Sequence, residues 1–217
     1  MKTALVFGAT GLVGSYLVKE LSERHEYSQI SVFVRTALGF NIPKVTSHVI
    51  DFDNIRASIG LFNGDDAFIC LGTTLKKAGS VARVEAIDRD LPVEIAGLCL
   101  QNGVKNLSVV SSIGANSSSR NYYLRIKGEM EDKILSMGFS NTSVVRPSVL
   151  LGKRNDPRIA EAAGRVFMQA FGFLFLGRLK KFRAIHARTV ARAMVEISNK
   201  NLRDKIYESD QLQLLGN

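Results

Sequence analysis

The feature that most constrains this chain is Gly8-Ala9-Thr10-Gly11-Leu12-Val13-Gly14, which follows the apolar run Thr3–Phe7 and opens a stretch of three-to-four-residue apolar spacing over Leu12–Arg24. A strand, a glycine turn and a helix in that order leave few folds. The G-x-x-G-x-x-G spacing gives each glycine a task. Gly8 takes the tight turn, Gly11 lets the backbone approach a pyrophosphate favoured by the helix N-terminus, and Gly14 lets the helix lie close on the strand. Thr10, Leu12 and Val13 complete the turn and are counted with the glycines as cofactor-binding residues. Glycine triplets alone are common turn punctuation; the strand, turn and helix context makes this one a dinucleotide cradle.

Further apolar runs of strand length recur at Ile30–Val34, Ser47–Ile50, Ala67–Leu71, Leu107–Val110 and Ser143–Val145. Helical spacing separates them over Val81–Gln101 and Tyr122–Met137, with Gly103 and Gly138 as the stops. Strands alternating with helices predict an α/β fold, a doubly wound parallel sheet of Rossmann type. The 217 residues, 46% hydrophobic, suffice for one buried core, so residues 1–217 are read as a single domain. Beyond Gly152 the pattern changes to two helices, about 157–173 and 186–199, and a short tail. Residues 152–217 are expected to form a small substrate-side cap.

Cys70 and Cys99 lie in separate apolar segments without metal or redox spacing, and read as reduced core residues. The N-terminal apolar run is too short for a signal peptide, and no stretch approaches the roughly 20 apolar residues that span a bilayer. A cytosolic location is expected. The net charge of +9 is concentrated in residues 151–205, which carry 13 Lys/Arg against 4 Asp/Glu. That excess is interleaved with a helical apolar pattern and accompanies no nucleic-acid motif, so a nucleic-acid partner is disfavoured.

The residue closing the second strand chooses between dinucleotides, because a carboxylate there accepts from a ribose 2′-hydroxyl whereas a cation pairs with a 2′-phosphate. Here it is Arg35, which favours NADP over NAD; a solvated strand-end cation is the plainer account. Asp51, closing strand three before Phe52, is placed to meet the adenine amino group, and a helix N-cap accounts for it equally well. Ser111-Ser112 follows strand five, and Tyr123-Leu124-Arg125-Ile126-Lys127 opens the next helix. Four-residue spacing puts Tyr123 and Lys127 on one face, where the ammonium can lower the phenol's pKa and reach a cofactor ribose. A serine hydroxyl beside them could hold a substrate carbonyl.

Together the glycine motif, Ser112, Tyr123 with Lys127, and Arg146-Pro147 resemble the atypical or extended short-chain dehydrogenase/reductases over nearly the whole chain. More narrowly, Cys70-Leu71-Gly72-Thr73-Thr74, Lys77-Ala78-Gly79, Asp88-Arg89-Asp90, Ser111–Ala115 and Arg146–Leu151 resemble the Tat-interacting-protein oxidoreductases. The resemblance implies that Leu71, Gly72 and Thr73 line the adenosine side of the cofactor and that Pro147 borders the nicotinamide. It also implies a catalytic triad of Ser112, Tyr123 and Lys127, with Ser112 preferred over Ser111. One position departs from the wider family: where many members carry an asparagine that supports a proton relay, this chain has Asp88, and a carboxylate cannot donate in the same way.

These features lead to an NADPH-dependent oxidoreductase acting on a carbonyl compound. The alternatives are an NADPH-binding sensor without turnover, and a sugar-nucleotide epimerase or dehydratase, although those enzymes usually have a larger C-terminal substrate region. The aromatic run Val166–Leu176, before Arg178, Lys180, Lys181 and Arg183, is expected to pack over the active site; a peripheral membrane or protein-partner element is the alternative. His186 reads as structural.

Overall fold

The computed structural model describes residues 1–39, 41–152, 182–200, 202 and 205–217. The helix expected near 157–173 and the basic aromatic run therefore lie outside the described residues.

The first strand, β1 (Lys2–Phe7), shows why its sequence is an unbroken apolar run. Ala4 and Val6 face one core while Leu5 and Phe7 face the other. It is the third strand across a seven-stranded sheet in which every pairing is parallel. On one side run β2 (Tyr27–Val34) and β3 (Val45–Val49); on the other run β4 (Asp66–Ile69), β5 (Asn106–Val110), β6 (Asn141–Arg146) and a last strand, Ile206–Glu208. The order reverses between β1 and β4, so a crevice opens at their carboxyl ends, where doubly wound sheets bind ligands.

Helix α1 (Leu12–Glu23) covers one face of the sheet, and α4 (Leu91–Gln101) and α5 (Tyr122–Leu135) cover the other. Two short helices, α2 (Leu75–Ala78) and α3 (Val81–Glu85), precede α4. On the α4 side Phe7, Phe33 and Phe62 form an aromatic knot, with Phe7 stacked on Phe33 at 4.6 Å and Phe62 edge-on to both.

Three departures from the sequence reading bear on the site. The helix expected over Val81–Gln101 is interrupted between α3 and α4 by one wide π turn, Ala86–Asp90. Pro92 explains it: proline lacks an N–H, and its ring would collide with the carbonyl four residues back, that of Asp88, so the chain loosens there. A two-stranded parallel ribbon also forms between β7 (Leu150–Leu151) and β8 (Ile185–His186). The third departure lies in the cap region. Its second helix, α6 (Ala187–Lys200), packs beside α1 in the same core as β1, and Ile206–Glu208, read as tail, is strand β9 of the main sheet. The chain ends in α7 (Ser209–Gly216), whose Gly216 has no room for a side chain against the Thr189 carbonyl of α6.

Candidate functional site

The glycine turn lies at the switch point. Gly8 has φ +87°, and a Cβ there would stand 2.6 Å from the Cys70 carbonyl oxygen just past β4. A Cβ on Gly14 would meet the Gly8 carbonyl oxygen at 2.1 Å, and the Gly11 N–H donates to that same oxygen at 2.9 Å. No side chain caps Gly11 at the start of α1, and the first turn carries no acid, which leaves a helix N-terminus suited to an anion. Thr10 is exposed beside it; Val13 and Gly14 are buried, so Val13 can offer a ligand only its backbone. Leu12 is half-buried against Gly152. These are the features a dinucleotide pyrophosphate needs: close backbone approach, and N–H groups without a competing side chain.

Arg35 stands exposed at the end of β2. Asp51 does not cap a helix: its carboxylate accepts from the Asp53 N–H at 2.9 Å in a local turn, and Asn54 precedes the next helical segment. Phe52 and Leu71 are half-buried against the α4-side core, and Gly72 is exposed.

Serines 111 and 112 have different surroundings. Ser111 is buried and its hydroxyl donates to the carboxylate of Glu131, which is 2% exposed and is also held by Arg146. Arg146 reaches Glu208 of β9 at 3.2 Å, so the network ties β5, α5, β6 and β9 together. Among the described residues the Ser112 hydroxyl makes one long 3.4 Å contact, with the neighbouring Ile113 carbonyl. It lies beside Pro147, because the Ile113 N–H donates to the Pro147 carbonyl at 3.0 Å.

The loop after Ser112 is fastened to α5. Asn116 N–H donates to the Leu124 carbonyl at 3.0 Å, and a Cβ on Gly128 would lie 2.1 Å from the Ser117 nitrogen. Asn121 caps the helix, its side chain accepting from the N–H groups of Tyr123 and Leu124. Tyr123 and Lys127 are thereby fixed one turn apart relative to the serine loop.

Lys127 is 2% exposed, and its ammonium lies 2.9 Å from Asp88 Oδ1. The other carboxylate oxygen of Asp88 accepts the Thr73 N–H at 2.9 Å, directly under the Leu71–Thr73 loop. Burial raises the Tyr123 pKa; Lys127 pulls it down, and Asp88 pushes it up again. Lys127 acts in the expected direction, but the net shift is upward. Desolvation and the lysine's own counter-charge together outweigh the ammonium.

Gly128 and Glu131 were not singled out in the sequence, Asp88 was marked there only as an acid in place of an amide, and Arg146 only within the Arg146-Pro147 resemblance; the glycine following Lys127 was the available signal for Gly128.

The sequence model of a family described as NAD(P)H-binding matches residues 8–201. Protein HTATIP2 of Rattus norvegicus is 36% identical over 198 residues, 89% of this chain and 80% of its own. The mitochondrial protein FMP52 of Candida albicans is 31% identical over 228 residues, covering 99% of this chain and 98% of its own. The FMP52 relatives from Candida glabrata and Saccharomyces cerevisiae are likewise named mitochondrial, which overturns the cytosolic expectation. Apolar patterning is silent on compartment. Among solved structures, MoeE5 in complex with UDP-glucose and NAD superposes with a TM-score of 0.69 at 16% identity, over 97% of this chain and 79% of that one, a likeness of fold. A glycine cradle at the switch point, a matching family model and relatives aligned over most of their length converge: this chain belongs to the NAD(P)H-binding family of Rossmann-fold proteins, in the branch that contains HTATIP2 and FMP52.

Proposed function

We propose that the protein is an NADPH-dependent oxidoreductase that reduces a carbonyl compound. The observation that carries this reading is the placement of Tyr123 and Lys127 on one helical turn, braced to the Ser112 loop and reaching through Asp88 to the loop beside the cofactor cradle. The cradle of Gly8, Gly11 and Gly14 would hold the pyrophosphate, and Leu71, Gly72 and Thr73 with Asp51 and Phe52 the adenosine. Arg35 would pair with a 2′-phosphate, and Lys127 and Pro147 would border the nicotinamide end. When bound in reduced form, the cofactor supplies a hydride for the carbonyl carbon.

The chain's own residues supply the rest. The Ser112 hydroxyl, whose one contact among the described residues is the long one to the Ile113 carbonyl, would donate to the substrate oxygen. Tyr123 gives its phenolic proton to that oxygen as the carbonyl π electrons move onto it; the O–H electron pair stays behind as phenolate, facing the Lys127 ammonium. A phenol held protonated by burial suits this donor role.

The test begins with calorimetric titration of NADPH and NADH, then screens aldehydes, ketones and quinones for NADPH oxidation. Tyr123→Phe is expected to keep NADPH affinity and to lose ~10²–10⁴-fold in turnover. Parent-like turnover in that variant removes the mechanism. Tight NADPH binding with no carbonyl reduced across the panel replaces the enzyme reading with that of a cofactor sensor.

A further inference from the structure

The π turn carries Asp88, the position that by resemblance stands nearest the amide of the wider family's proton relay. Asp88 is fully buried, 2.9 Å from the Lys127 ammonium and 2.9 Å from the Thr73 nitrogen, and a Cβ on Gly72 would lie 3.4 Å from it. One side chain therefore touches both the lysine of the reacting centre and the backbone of the cofactor loop. Its contact with Lys127 is an ion pair, and among the described residues Oδ1 has no hydrogen-bond donor. The neighbouring charges are paired with one another: Arg89 with Asp90, Glu129 and Glu85, and Arg125 with Glu129. Among the described residues, the groups acting on the Tyr123 phenol are Lys127 and Tyr122 on its own helix and Asp88 across from it.

We propose that Asp88 is a positioning residue that fixes Lys127 against the cofactor loop and offsets its charge, leaving Tyr123 a neutral phenol and building the site to deliver a proton, in the direction of carbonyl reduction. This deepens the reading above and rests on Tyr123 as the proton donor. An unopposed ammonium beside the phenol would favour phenolate, the form that removes a proton from an alcohol. With Asp88 paired to that ammonium, the charge presented to Tyr123 is much reduced. Burial then decides, and the proton stays on.

The test needs neither cofactor nor substrate. The full chain is labelled with carbon-13 at the tyrosine ring Cζ, and the Tyr123 signal among the five tyrosines is assigned by its absence in Tyr123→Phe. In the unmutated protein Tyr123 is expected to titrate at higher pH than tyrosine in the unfolded chain; a lower midpoint overturns the proposal without recourse to any Asp88 variant. In Asp88→Asn, a near-isostere, the midpoint is expected to fall below that of the unmutated protein, and Asp88→Glu, which restores the carboxylate, is expected to return it. An unmoved midpoint in Asp88→Asn also overturns the proposal. A protein that reduces carbonyls but whose Tyr123 titration ignores Asp88 keeps its proposed function and loses this inference. An Asp88-dependent midpoint without carbonyl turnover leaves the action of Asp88 standing and removes the reductase reading.

Discussion

At the scale of single residues, the site depends on where charges are and what surrounds them. Arg35, exposed at the end of β2, is expected to make NADPH bind more tightly than NADH by ~1–3 kcal/mol, the size of a charge-assisted contact. Arg35→Ala should erase most of that difference in calorimetric titration; equal affinities in the unmutated protein would remove the argument for NADP. Tyr123 gives a pH prediction whose sign follows from its role. In the proposed mechanism the protonated phenol is the donor, and burial holds its pKa above the ordinary value, so reductive turnover should stay level through neutral pH. It should fall only on an alkaline limb beyond about pH 10, the usual tyrosine range. Removing Lys127 removes the influence that pulls the phenol down, so in Lys127→Ala that limb moves to still higher pH. Cys99 offers a simpler check: burial pushes its thiol up to about 12, and a neutral thiol is a poor nucleophile, so it should resist alkylation at neutral pH until the chain unfolds.

Among the elements, close approach of helices to loops sets the geometry, and glycine permits it. Gly14 holds α1 against the turn that precedes it. Gly14→Ala would drive a methyl into the Gly8 carbonyl, so backbone must move. That variant is expected to lose ~1–3 kcal/mol of stability, read by denaturant titration, and to weaken NADPH binding as the cradle opens. Gly128 does the same for the half that carries Tyr123 and Lys127: a methyl there meets the Ser117 nitrogen and the Asn116 carbonyl carbon, so Gly128→Ala should push the serine loop away from α5. Turnover should then fall well beyond any loss of NADPH affinity, because the contact lies in the serine loop and not in the cofactor cradle. Equal effects on both would show that the loop carries no catalytic geometry.

Over the whole molecule, the C-terminal segment closes the fold that the N-terminal segment begins. Arg146 links Glu131 of α5 to Glu208 of β9, and Tyr207 and Leu212 are buried in the core that α1 and β1 also line. Leu212→Ala is expected to cost ~2–5 kcal/mol, a large share of the ~5–15 kcal/mol typical of a folded domain. The exposed Leu214 of the same helix is the control, expected to change stability by less than ~0.5 kcal/mol when replaced by alanine. Thermal melts of the two variants that coincide would mean that α7 contributes little to the fold.

The alternation of strands and helices over the first six strands, the turn at Gly8 and the placing of Tyr123 and Lys127 one turn apart on a helix were legible in the sequence. Each is a local property: apolar period, glycine spacing and helical repeat act over a few residues, and a parallel sheet buried on both faces writes itself as continuous apolar runs. Gly103 and Gly138, read as helix stops, take positive φ angles of 80° and 85°. Other features depended on segments distant in the chain. That Ser111 is taken up by Glu131 while Ser112 is not, that Ile206–Glu208 is a strand, and that α6 shares a core with α1 are all decided by contacts between residues far apart in sequence. Asp88 shows the division most plainly. Its sequence position marked it as an acid in place of an amide, but only the tertiary structure, by widening one turn ahead of Pro92 and burying the carboxylate between Lys127 and Thr73, decided what that acid touches. A side chain's charge is fixed by the sequence, whereas its effect depends on the desolvation and partners that packing supplies.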